Sequence, residues 1–96
     1  MDVFKNSQEL ELDEVTLDDV KEARVRDLIL YNDDVNTFEH VIDALVDICE
    51  HDLLQAEQCT YIVHYSGQCS VKNGSYLKLK PLKEGLIDRG LSAVIK

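Results

Sequence analysis

The stretch Asn36-Thr37-Phe38-Glu39-His40-Val41-Ile42-Asp43-Ala44-Leu45-Val46-Asp47-Ile48-Cys49 decides how the rest of the chain folds. Phe38, Val41, Ile42, Leu45, Val46 and Cys49 fall at i, i+3, i+4, i+7, i+8 and i+11, which makes one continuous apolar face of a helix. Asp43, Asp47 and Glu50 take the other side. Asn36 is a good N-cap, and Glu39 three residues on can complete a capping box, so the helix is expected to start there and to close at His51. A helix with one oily face must bury it against a partner layer.

The flanking sequence supplies that layer. Upstream, Asp27-Leu28-Ile29-Leu30-Tyr31 is a short run with branched and aromatic members and reads as a buried strand. Asn32-Asp33-Asp34 stops it, because Asn and Asp side chains bond to nearby backbone and favour turns. Downstream, Asp52 can cap a second helix that begins at Leu53. Tyr61-Ile62-Val63-His64-Tyr65 is β-prone by composition, yet it fits equally well as the last turns of that helix with Gly67 at C′. The residues themselves leave both readings open.

Residues 68–71 read as a short strand and Asn73-Gly74-Ser75 as a turn. Residues 76–89 carry helical spacing through Leu79, Leu82 and Leu86, with Ile87 beside them. Pro81 lacks an N–H and clashes with the preceding turn, so it is expected near the start of that helix or at a kink. Gly90 is the stop, and Leu91-Ser92-Ala93-Val94-Ile95 alternates as a final strand. The order β-α-α-β-α-β predicts an α+β fold of two layers, with the helices packed on one face of a small three-stranded sheet.

The chain has 96 residues, enough for one modest core. Residues 1–24 hold eight acids against three bases with few apolar residues, and read as a flexible acidic extension; residues 25–96 are the folded domain. Charge is uneven. Residues 1–71 hold 17 acids and 4 bases, net −13, whereas residues 72–96 hold 2 acids and 6 bases, net +4. The total of −9 argues against nucleic acid, whose phosphates need a basic surface, and the dipole suits steering onto a protein partner. No stretch approaches a membrane span and no secretory signal is seen, so a cytoplasmic protein without a membrane partner is expected.

Cys49, Cys59 and Cys69 are odd in number and match no CxxC pattern, so free thiols are expected and no metal site. A zinc site of three Cys and a His is the distant alternative. No nucleophile elbow, P-loop, HExxH or dinucleotide-binding glycine pattern is present, so no enzyme and no cofactor are expected. A binding module remains.

Asn32-Asp33-Asp34, then Glu39, Val41-Ile42-Asp43 and Leu45, resemble the signature segment of the ClpS family of Clp protease adaptors. Ala56, Gln58, Val63-His64-Tyr65 and Gly67 resemble its second signature, and the distance between the blocks fits without an insertion. The resemblance covers residues 25–96. It implies that the Tyr61–Tyr65 segment ends the second helix. It also implies a function: binding the free N-terminal residue of proteins that carry a bulky hydrophobic N-degron, and delivering them to a AAA+ Clp unfoldase of the ClpA or ClpC type. Asn32, Asp33 and His64 match the family's ligands for the peptide's α-amino group, a cation that needs acceptors such as a ring nitrogen lone pair. Asp34, Asn36, Phe38, Val41, Thr60, Val63 and Leu91 match the positions lining the side-chain pocket. Phe38 and Thr60 stand where the family usually has Met. The second hypothesis is a generic protein-interaction domain of the related fold found in the ribosomal stalk protein, without an amino-group pocket. A cavity beside Asn32, Asp33 and His64 separates the two.

Overall fold

The computed structural model describes residues 15–96. In chain order the elements are α1 (Leu17–Val20), β1 (Arg26–Tyr31), α2 (Phe38–Cys49), α3 (Leu53–Ser66), β2 (Gln68–Gly74), α4 (Tyr76–Asp88) and β3 (Ser92–Ile95). The sheet runs β2-β1-β3, with β1 in the middle and antiparallel to both neighbours. Along β1 the alternation of strand side chains sends Arg26, Leu28 and Leu30 into the interior. Leu28 and Leu30 there meet Ala44, Leu45 and Cys49 of α2, Ala56 and Val63 of α3, and Leu79 and Leu86 of α4. The α+β architecture of helices on one face of a three-stranded sheet is therefore the observed one. Among the described residues no helix is long and apolar enough to cross a membrane.

The open segment after Thr60 resolves as helix. α3 runs to Ser66, and Gly67 ends it in the left-handed region at φ 90°, its N–H donating to the Val63 carbonyl at 2.9 Å. A register shift in the β1–β2 pairing skips Val71, whose side chain is buried and whose carbonyl accepts from His51 Nε2 at 2.7 Å. All three cysteines are free thiols. Burial pushes Cys49 up to about 11 and Cys59, which also neighbours Cys69, up to about 12. Both behave as small core hydrophobes.

Three local expectations are corrected or narrowed. Thr37, not Asn36, caps α2: its hydroxyl accepts from the His40 N–H at 3.1 Å, while the Asn36 side chain is drawn off to Asp33 and Gly90. Pro81 does not lie at the start of α4 but five residues in, the interior position at which a kink is the expected alternative, and it has no N–H to donate to the Leu77 carbonyl. The third concerns the extension. Residues 1–14 of it lie outside the described residues, but α1 within it is a helical turn with a complete capping box between Thr16 and Asp19. Asp19 is buried and accepts from Arg26 Nη1 at 2.6 Å, with Arg24 at 3.8 Å. Ser75 Oγ donates to Glu22 across the same junction. The packed domain thus reaches back beyond residue 25.

Candidate functional site

The site is built on the loop that leaves the central strand. Tyr31 ends β1 and is paired on both sides, with Gln68 and with Ser92. The Asn32 N–H then donates to the Gly67 carbonyl at 2.9 Å, which ties the start of the loop to the end of α3. Asp33 organises the remainder of the loop. Its Oδ1 accepts from the backbone N–H of Val35 at 2.9 Å and of Asn36 at 2.8 Å, and its Oδ2 accepts from Asn36 Nδ2 at 2.8 Å. Asn36 Nδ2 also donates to the Gly90 carbonyl at 2.9 Å, bridging the loop to the turn before β3. His40 Nε2 donates to the Arg89 carbonyl at 2.7 Å and adds a second bridge. The loop is a packed, hydrogen-bonded object with its carboxylate already in place.

Burial opposes ionisation of Asp33, but the Asn36 backbone and side-chain donors, the Val35 N–H and nearby His40 outweigh it and hold its carboxyl below the usual 3.8. Asp33 is therefore an anion at neutral pH.

Beside this loop lies a cavity of about 280 Å³. Asn32, Asp33, Asp34, Asn36, Phe38 and Val41 line it from the loop and α2; Thr60, Val63 and His64 line it from α3; Leu91 lines it from the start of β3. The three positions on α3 are i, i+3 and i+4, one face of one helix. All ten residues singled out from the sequence thus border one hollow. Sequence reasoning missed three more that line it, Leu30, Tyr31 and Thr37. Leu30 was within reach, because strand alternation puts it on the same interior face as Leu28.

The floor is apolar and largely buried through Val63, Leu91 and the half-buried Val41. Thr60 is 3% exposed, and its hydroxyl donates to the Ala56 carbonyl at 2.7 Å, so its donor is spent within the helix. The mouth is polar. His64 is exposed, makes no hydrogen bond among the described residues, and rests edge-on against Phe38 with ring centroids 4.9 Å apart. Among the described residues no Lys or Arg lines the cavity. An anionic loop with acceptors next to a hollow with an apolar floor can take a group that is cationic at one end and oily at the other.

The chain is similar to known proteins. A family model described as ATP-dependent Clp protease adaptor protein ClpS matches residues 21–93. An ATP-dependent Clp protease adapter protein ClpS from Salmonella gallinarum is 34% identical over a 68-residue alignment that covers 67% of this chain and 64% of that protein. The match thus spans less than two thirds of that relative's length.

Proposed function

The chain belongs to the ClpS family, and from that premise we propose that it is an adaptor that captures proteins by their free N-terminal residue and hands them to a AAA+ Clp unfoldase. It binds and presents; it does not break bonds. The observation that carries this reading is the cavity at Asn32, Asp33 and His64, with an anion at its mouth and apolar residues at its floor.

The chemistry follows from the two ends of a chain start. The α-amino group is an ammonium at neutral pH and has three donors. Asp33 supplies charge, Asn32 a side-chain oxygen and His64 a ring nitrogen lone pair. The first side chain, bulky and apolar, enters between Val41, Val63 and Leu91, with Phe38 and Thr60 setting the width and depth. Burying a Leu or Phe side chain there contributes about 1.5–3 kcal/mol, while the charged mouth fixes orientation. The shorter Thr60, where the family usually has Met, opens the hollow from below, and Phe38 closes it from the side. On the far side of delivery, residues 1–24 serve as the acidic extension that engages the unfoldase, and Lys78, Lys80 and Lys83 of α4 offer it a basic patch. A ribosomal-stalk-like domain without an amino-group pocket is the weaker reading, since it gives this cavity no use.

The test is binding of fluorescent peptides that begin with Leu or Phe, each in free and N-acetylated form. Acetylation removes the charge and the donors, and each lost charged hydrogen bond weakens binding by about 1.5–3 kcal/mol, so the acetylated peptides should bind at least about tenfold more weakly. Equal binding of the two forms, or no binding across all bulky first residues, refutes the proposal.

A further inference from the structure

The wall that Leu91 gives the cavity hangs from a turn with spare carbonyls. Gly90 takes the left-handed region at φ 84°, its N–H donating to the Ile87 carbonyl at 2.8 Å, and the Leu91 N–H donates to the Leu86 carbonyl at 3.0 Å. These two bonds close the C-terminal end of α4. They leave the carbonyls of Arg89 and Gly90 to be satisfied from elsewhere, as orphan groups at a helix end must be. The Gly90 carbonyl accepts from Asn36 Nδ2, and the Arg89 carbonyl accepts from His40 Nε2 at 2.7 Å, across 49 residues of chain. A carbonyl can only accept, so Nε2 carries the proton whatever the state of the other ring nitrogen.

The two bridges differ in what they touch. Asn36 lines the cavity and binds Asp33, so it shapes the site directly. His40 does not line the cavity. It grips Arg89, and Leu91 stands two residues on, 4% exposed and part of the lining. Beyond Leu91, Ser92 pairs with Tyr31 of β1. The segment is thus fixed at its far end by the sheet and at its near end by His40 and Asn36. The Arg89 side chain adds an ion pair, Nη2 to Asp47 Oδ2 at 3.2 Å, but both partners are open to solvent and such a pair holds little.

We propose that His40 is a positioning residue which, through the Arg89 carbonyl, sets how far the Leu91 wall stands from Val41 and Val63, and thereby the size of first side chain that the cavity takes. This rests on the cavity being the seat of a free chain start. Without the Nε2 donor the Arg89 carbonyl turns to water, the turn leaves α2, and the wall gives way outward. The hollow widens, which favours the largest first residues over Leu.

The experiment measures, on the full chain, the affinities of otherwise identical peptides beginning with Trp and with Leu, with an N-acetylated Leu peptide as control. The readout is the Trp-to-Leu ratio. His40 also stands close enough to Asp33 to favour its anion, but every free peptide brings the same amino group, so that influence cancels in the ratio, as does any general loss of folded protein. His40→Phe keeps a ring without the donor and should raise the ratio about fourfold, the worth of one more buried methylene. His40→Gln keeps a donor and should hold the ratio near that of the unmodified protein. Asp47→Ala should leave it unchanged. An unchanged or lowered ratio in His40→Phe, or an equal rise in His40→Gln or Asp47→Ala, overturns the role of the His40 bond while free Leu peptides still bind tighter than acetylated ones. If free and acetylated Leu peptides bind the unmodified protein alike, the cavity reading itself fails and the positioning role falls with it.

Discussion

Asp33 shows how one side chain can hold a loop and a charge together. Three donors from its own loop already occupy its two oxygens, and a carboxylate offers roughly four acceptor sites, so about one remains for an incoming ammonium. Asp33→Ala would therefore remove the loop's anchor and the proposed ligand at once. Asn36 separates them, because it holds Asp33 and the Gly90 carbonyl through one amide nitrogen. Asn36→Ala should lower stability in urea unfolding by about 0.5–1.5 kcal/mol for the lost hydrogen bonds, with the loop anion still present. The sequence reading puts the helix cap at Asn36, whereas Thr37 takes it. What decided between them is a contact with Gly90, far along the chain, which no local pattern can reveal.

At the level of elements, periodic burial was readable and anchoring by single polar contacts was not. Leu45 and Cys49 of α2 and the interior residues of β1 follow from spacing alone, whereas Val46, on the expected apolar face, is exposed and Ala44, off it, is buried. α1 has no apolar stripe, so nothing in its spacing announced it; it exists because Asp19 finds Arg26 on the neighbouring strand. The convergence on the cavity was likewise beyond pattern reading, since it needs β1 at the centre and β3 beside it to bring Leu91 next to Phe38. The residue set came instead from the resemblance to a known family. α4 carries its own test. Pro81 sits inside the helix and costs it a hydrogen bond, a penalty of about 3 kcal/mol in a helix interior, partly offset by about 1 kcal/mol of reduced unfolded-state freedom. Pro81→Ala should raise stability by about 1–2 kcal/mol in denaturant melts, and a drop would mean that the ring packs usefully against its neighbours.

On the scale of the whole molecule, the buried Asp19–Arg26 pair joins the acidic N-terminal part to the folded core. Burial works against the Asp19 anion, but the Thr16 and Arg26 hydrogen bonds and the Arg26 charge outweigh it and leave its carboxyl below 3.8. The pair's contribution is thus complete above the ordinary carboxylate value and disappears as pH falls through the lowered one. Amide exchange across Leu17–Val20 should stay constant from pH 7 to about 5 after correction for intrinsic rates, and accelerate below about pH 4, the carboxylate range. Asp19→Asn, which keeps the shape without the charge, should show the faster exchange already at neutral pH. The central strand has a different consequence. The loop beside the cavity issues from a strand paired on both sides, and its start is tied to the end of α3. Under the proposed function, a guest meets a seat already shaped, and choice among guests rests on fit, not on how far the host yields.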